Sequence, residues 1–87
     1  MLSKKEIEEN LKKCLKKTFS NFKIKKKINL LKIGSLKEWD SLGNFNLLLE
    51  VEKVFNVRFK PSELETITSI NQIINFLIKK KIKNIKK

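Results

Sequence analysis

The 87-residue sequence contains no histidine, no tyrosine and a single cysteine, Cys14. Histidine is the side chain that most often acts as a general base near neutral pH, and with cysteine it supplies many metal ligands. One cysteine cannot form a disulfide within the chain. These absences argue against acid–base catalysis, against a metal site built from these residues and against a disulfide-stapled fold, so we expect a protein that is not an enzyme.

Long hydrophobic runs are also missing. No stretch approaches the roughly 20 apolar residues that a membrane-spanning helix needs, and the N-terminal residues 1–6 pass directly into an amphipathic pattern without the apolar centre of a signal peptide. We therefore expect a cytoplasmic protein with no membrane partner. The length suits one domain, residues 1–87, with a single core, and the lysine-rich end, residues 79–87, is expected to fray.

Acidic residues are scarce, since nine Asp and Glu accompany 21 Lys and Arg and the net charge is +12. Such an excess favours a nucleic-acid or anionic-membrane partner, but it is unevenly distributed. Residues 1–37 carry 12 lysines and 3 glutamates, residues 38–69 carry 3 basic and 6 acidic side chains, and residues 70–87 carry 6 lysines and no acid. The middle segment is therefore the only acidic part of a basic chain.

The first predicted element is an amphipathic helix from residue 4 to about residue 19. Ser3 and Glu6 have the spacing of a capping box, in which each side chain satisfies a free backbone N–H of the first turn. One face then carries Ile7, Leu11, Cys14, Leu15, Thr18, Phe19 and Phe22. Cys14 is expected to be a small buried hydrophobe rather than a reactive thiol. The opposite arc is interpreted as a solvated face, or secondarily as a weak contact for an acidic partner. Its residues are Lys12, Lys13, Lys16 and Lys17.

Residues 20–38 show no period, and we expect them to form a long ordered loop. Gly34 and Ser35 mark a turn within it. Trp39 is expected to hold the end of this loop against the core, with a substrate contact as the alternative.

The clearest helical pattern spans residues 41–55. Asp40 is a preferred N-cap residue, which places the Ser41 hydroxyl at an exposed helix end, and Asn56 is the expected C-terminal stop. At about 100° per residue the apolar side chains form two stripes rather than one. The core-facing stripe is Leu47, Leu48, Val51, Val54 and Phe55, and the second stripe is Leu42, Phe45 and Leu49. A surface helix needs only one such stripe, so the second packs on another segment or stays exposed for a partner.

The remaining elements are short. Residues 57–59 are expected to be extended, and residues 61–65 predict a third helix entered at a proline. Thr68 or Ser69 caps the last helix, and Ser69 and Gln72 have capping-box spacing. Its predicted core face is Ile70, Ile73, Ile74, Leu77 and Ile78.

These features together resemble the acyl carrier proteins and their peptidyl and aminoacyl relatives. The resemblance rests on Asp-Ser-Leu at 40–42, on the helical run 47–55 with its Glu-x-x-Phe end, and on Thr-Ser-Ile at 68–70. It covers nearly the whole chain and is most specific from residue 39 to residue 77. It implies an all-α fold, a small four-helix bundle of acyl-carrier type with a long loop between helices one and two and a short third helix.

The resemblance also implies a cofactor and partners. Ser41 would carry a 4′-phosphopantetheine arm, taken from coenzyme A, whose thiol holds an acyl or aminoacyl group as a thioester, and Asp40 would adjoin this site. The implied partners are a phosphopantetheinyl transferase, an acyl- or aminoacyl-activating ligase and acyltransferase enzymes. Because the chain has no histidine to activate Ser41, the transferase would supply the base and the metal.

The chain departs from the family where partners bind. Family members usually carry acidic residues after the motif leucine and further along the second helix, and this chain instead has Gly43, Asn46 and Lys53. Partner binding is then expected at Leu42, Phe45, Leu49, Glu52 and Phe59. The segment 38–43 looks more like stand-alone carriers of specialised pathways, including aminoacyl or surface-polysaccharide assembly, than like a general fatty-acid carrier.

Two functions therefore compete. The first is a catalytically inert, monomeric carrier that shuttles a thioester on Ser41. The alternative is a small basic helical protein that binds nucleic acid or an anionic surface through the lysines of the first helix and the 79–87 tail. We expect no specific nucleic-acid partner, because Arg58 is the only arginine available for a bidentate contact to a base or phosphate.

Overall fold

The computed structural model describes residues 3–23 and 27–80, and within these ranges the chain forms four helices and no strand. The helices are α1 (Lys4–Thr18), α2 (Ser41–Phe55), α3 (Pro61–Thr66) and α4 (Ile70–Lys79). The predicted all-α class, the long first connection and the short third helix are confirmed. Of the end that was expected to fray, residues 81–87 lie outside the described residues.

Helix α1 begins at the predicted capping box. The Ser3 hydroxyl accepts a hydrogen bond from the Glu6 N–H at 3.2 Å, and the Glu6 carboxylate accepts one from the Ser3 N–H at 3.1 Å. At the other end, the Lys16 ammonium donates to the carbonyl oxygens of Ser20 and Phe22 at 3.1 and 3.2 Å. Lys16 therefore ties the start of the following loop to the last turn of α1, where a cation also complements the helix dipole.

The three longer helices each bury one face, and their buried side chains form one core. The predicted face of α1 and the core-facing stripe of α2 are buried, except that Thr18 and Val54 are half-buried. On α4 one prediction was wrong, because Ile78 is 37% exposed. The buried side of α4 includes Phe76, which the prediction omitted and whose ring packs against Phe59 with centroids 4.4 Å apart.

The described residues of the connection between α1 and α2 form a loop, as expected, and its second half is bonded to the rest of the fold. Hydrogen bonds from the Ile33 N–H to the Thr68 carbonyl (2.8 Å) and from the Ile70 N–H to the Leu31 carbonyl (3.0 Å) join it to the start of α4. Gly34 occupies the predicted turn with φ = 91°, a left-handed conformation that glycine adopts without strain.

The end of this loop is fixed by one buried hydrogen-bonded pair. The Trp39 side chain is fully buried and stacks on Phe19 with centroids 5.5 Å apart. Its indole N–H donates to the Asn44 side-chain oxygen at 2.9 Å, and the Asn44 amide NH₂ donates to the Ile67 carbonyl at 2.8 Å. Asn44, only 3% exposed, thus links the loop, α2 and the segment before α4. The prediction that Trp39 holds the loop against the core is confirmed.

Replacing Asn44 by leucine tests this link. Asn44→Leu leaves the Trp39 indole N–H and the Ile67 carbonyl buried without their partners, which costs about 1–3 kcal/mol of unfolding free energy for each group. Urea denaturation should show this loss. The matched Asn46→Leu variant changes an exposed position two residues along the same helix, so its stability should stay within about 0.5 kcal/mol of wild type. Equal stability of the two variants would contradict a structural role for the Asn44 amide.

Candidate functional site

Helix α2 starts at a side-chain cap. Asp40 is extended, with φ = −98° and ψ = −165°, and its carboxylate accepts the Gly43 N–H at 2.8 Å. The Asp40 carbonyl accepts the Asn44 N–H, also at 2.8 Å. Ser41 is therefore the first residue of the helix, and its side chain is exposed. The predicted cap, the first helical residue and the stop at Asn56, which is left-handed with φ = 54°, are all confirmed.

Close packing of this helix end depends on Gly43. A Cβ atom at Gly43 would lie 2.2 Å from the Glu38 carbonyl oxygen and 3.0 Å from a ring carbon of Phe19. Any larger residue would push the first turn of α2 away from the loop. The sequence showed only that position 43 lacks the acidic residue usual in the carrier family. The structure shows that this position has no room for a side chain.

A groove lies beside Ser41, with a volume of about 550 Å³. The loop before α2 contributes Ile33 to its walls, α2 contributes Ser41 and Phe45, and α3 contributes Leu64 and Glu65. Its walls are therefore largely apolar, with the Glu65 carboxylate as the charged group. The groove places apolar surface next to Ser41.

The outward stripe of α2 reaches solvent. Leu42 is 68% exposed and Phe45 is 41% exposed, whereas Leu49 is half-buried. Leu47 and Leu48, on the opposite stripe, are fully buried. The division of α2 into an inner and an outer apolar face is thus confirmed, and Ser41 stands next to the outer face.

Two further residues expected at the partner surface have roles inside the fold. Phe59 is 6% exposed and packs on Phe76, so most of its ring belongs to the core and little of it remains for the expected contact with a partner. The Glu52 carboxylate accepts the Phe59 N–H at 2.8 Å. Glu52 therefore holds the chain that follows α2, although part of its side chain remains accessible.

Several charges on α1 and α2 are paired within the chain. Lys17 and Glu50 approach to 3.3 Å, and Lys12 and Glu9 approach to 3.5 Å. With Lys16 bound to two carbonyls, three of the four lysines on the arc predicted to be solvated make intramolecular contacts. Exposed pairs of this kind contribute at most about 1 kcal/mol.

The Cys14 thiol lies in the core. It is 1% exposed, and burial, together with the nearby Glu50 carboxylate, raises the pKa of its thiol to about 12. The expectation of a buried small hydrophobe is confirmed. Within residues 3–23 and 27–80, no three potential metal ligands of the His, Cys, Asp and Glu types come together, and no helix is long and apolar enough to cross a membrane.

Comparison with known proteins identifies no relative of this chain, since no family model, no curated protein and no solved structure matches it. The resemblance to carrier proteins therefore stays a prediction from the sequence. The functional assignment depends on the serine, the helix end and the surface described above.

The buried thiol gives a measurable prediction. Thiol reagents react with the thiolate, and the raised pKa of Cys14 leaves almost no thiolate at pH 8. Native protein should therefore show no reactive thiol with Ellman's reagent, and protein unfolded in guanidinium should show one. Rapid reaction of the native protein would contradict the buried placement of Cys14.

Replacing one apolar residue on each face of α2 by aspartate tests the division of the helix into an outer and an inner face. Phe45→Asp should keep near-native helical content, because Phe45 already contacts solvent. Leu48→Asp places an unpaired charge in the core, which costs several kcal/mol against a total stability of about 5–15 kcal/mol. Circular dichroism during thermal unfolding distinguishes the variants. If Phe45→Asp unfolds the chain as Leu48→Asp does, the outer stripe is part of the core.

Proposed function

We propose that this chain is a carrier protein that holds an acyl or aminoacyl group as a thioester on a 4′-phosphopantetheine arm attached to Ser41, and that it moves this group between enzymes. The observation that carries the proposal is an exposed serine at the first position of α2, directly after the Asp40 cap and beside an exposed apolar stripe. Attachment needs an accessible hydroxyl, and transfer needs a surface that enzymes can bind.

The start of α2 suits a negatively charged arm. The first four N–H groups of a helix lack intrahelical carbonyl partners, and the helix dipole adds positive potential there. Asp40 satisfies the N–H of Gly43, while the N–H groups of Ser41 and Leu42 belong to the same free turn. A phosphodiester on Ser41 would gain roughly 0.3–1 kcal/mol from this environment. The modification is therefore compatible with the stability of the helix.

Ser41 needs an external enzyme for its activation. The chain contains no histidine, so the base that removes the hydroxyl proton comes from a phosphopantetheinyl transferase, together with its metal. In the transfer, the Ser41 oxygen forms a bond to the phosphorus that bears the pantetheine, and the bond to the adenosine bisphosphate part of coenzyme A breaks. The chain contributes an accessible hydroxyl and a surface for docking, and it acts as substrate rather than catalyst.

The groove beside Ser41 supports the same function. With Ile33, Phe45 and Leu64 among its walls, it presents apolar surface within reach of an arm attached at the serine. Removing apolar surface from water contributes about 25 cal/mol for each Å². A bound acyl chain would therefore gain protection from water between encounters with enzymes.

The alternative function, binding of nucleic acid or an anionic surface, is favoured by the net charge of +12. It leaves the exposed serine and the outer apolar stripe without a role, and Lys12, Lys16 and Lys17 are engaged within the chain. We expect duplex binding to be ordinary polycation attraction that disappears at physiological salt. A sequence-preferring complex that survives physiological salt would favour the alternative.

The carrier function predicts one specific modification. Incubation with coenzyme A and a broad-specificity phosphopantetheinyl transferase should add a single phosphopantetheine, which intact-mass spectrometry detects. Because Cys14 is protected in the native state, the loaded protein should also gain one thiol that reacts with Ellman's reagent before unfolding.

Two serine variants serve as controls for this reaction. Ser41→Ala should stay folded and unmodified. Ser62→Ala removes another exposed serine, at the second position of α3, and should be modified like wild type. The proposal fails if folded wild-type protein resists several such transferases, or if Ser41→Ala is modified equally well.

A further inference from the structure

The outward face of α2 changes character along its length. Leu42, Phe45, Leu49 and Lys53 follow one another at spacings of three and four residues, so they lie on the same side of the helix. The face is apolar near Ser41 and ends in a cation, since Lys53 is exposed in the last turn. A protein that docks along this face meets first apolar and then positive surface.

A second cation stands beside Lys53. The left-handed Asn56 turns the chain at the end of α2, and the segment that follows brings Arg58 to a groove of about 590 Å³ that Leu49 and Lys53 also line. Lys53 and Arg58 are both exposed. The ion pairs of the described residues involve neither of them.

The acidic groups of α2 offset these cations only in part. Glu50 pairs with Lys17 at 3.3 Å, and its side chain is only 12% exposed. Glu52 lines the same groove as Lys53, and its carboxylate, which accepts the Phe59 N–H, keeps its negative charge there. Lys53 and Arg58 face one carboxylate in this groove, so the net charge at the C-terminal end of the face is positive, whereas the exposed Asp40 at the other end is negative.

We propose that the outward face of α2 is the docking surface for an enzyme whose complementary face has an apolar recess for Leu42 and Phe45 and carboxylates that meet Lys53 and Arg58. The identity of the partner as an enzyme acting on the arm rests on the proposed function, whereas the polarity of the surface does not. Apolar anchors supply most of the affinity of such interfaces, and complementary charges set orientation and partner choice. The part of the partner's surface that faces the C-terminal end of α2, away from Ser41, is therefore acidic.

The test uses two helical peptides that share one leucine face and carry either glutamates or lysines on the other. Titrated at physiological salt into the isotope-labelled chain, the glutamate peptide should shift the amide signals of Leu42, Phe45, Leu49, Lys53 and Arg58, and the lysine peptide should bind more weakly. The double variant Lys53→Glu/Arg58→Glu should weaken binding of the glutamate peptide by about tenfold or more and strengthen binding of the lysine peptide.

A control variant separates docking from general attraction to a basic protein. Lys5→Glu/Lys13→Glu changes the net charge equally at exposed positions on α1, and it should weaken binding of the glutamate peptide by no more than about twofold. Equal weakening by the two double variants, signal shifts centred on α1, or equal affinity for both peptides would overturn the proposal.

Two further outcomes are distinguishable. If sedimentation shows a dimer that Lys53→Glu dissociates, the face binds a second copy of the chain and the enzyme-docking proposal fails. The peptide titration runs equally well on Ser41→Ala. Failure of Ser41 to accept the arm would therefore remove the proposed function without changing the peptide result, and failure of the peptide result would leave the modification of Ser41 intact.

Discussion

The position of Ser41 depends on the buried side-chain amide of Asn44. This amide accepts the Trp39 indole N–H and donates to the Ile67 carbonyl, at 2.9 and 2.8 Å. Leaving either group buried without a partner costs about 1–3 kcal/mol, so the loop end and the segment before α4 are held to the first turn of α2. Gly43 lets the loop backbone approach this turn closely. The helix end that exposes the serine is therefore held in a fixed position against the core.

This arrangement divides α2 between two tasks. Its inner face builds the core with α1 and α4, and its acidic residues Glu50 and Glu52 serve contacts within the chain. The outer face is left apolar near Ser41 and positive near Lys53. A partner that acts on Ser41 would recognise shape and apolar contact at one end and charge at the other. The chain's net charge does not predict the mixed apolar and positive character of this face, because many of the lysines lie on other parts of the chain.

Local interactions made most of the fold predictable. The caps at Ser3, Asp40 and Ser69 involve partners three residues away, so the sequence shows them directly, and helical periodicity identified the core stripes. The missed features depend on contacts that spacing does not reveal. The Asn44 amide binds a carbonyl 23 residues along the chain, and a helical asparagine gives no sign of that partner. The burial of Phe59 follows from its stacking on Phe76, and the need for glycine at position 43 arises from an approaching loop.

The central claim is that Ser41 carries the arm in the cell. Mass spectrometry of the one tryptic peptide that contains Ser41 tests this claim most directly. Tryptic cleavage after Lys37 and Lys53 releases residues 38–53, in which Ser41 is the only hydroxyl-bearing residue and which contains no cysteine. Mass spectrometry of this peptide, from protein purified from its own cells, should show one phosphopantetheine on Ser41. A peptide found only in unmodified form, or an arm located on any other residue of the chain, would contradict the account.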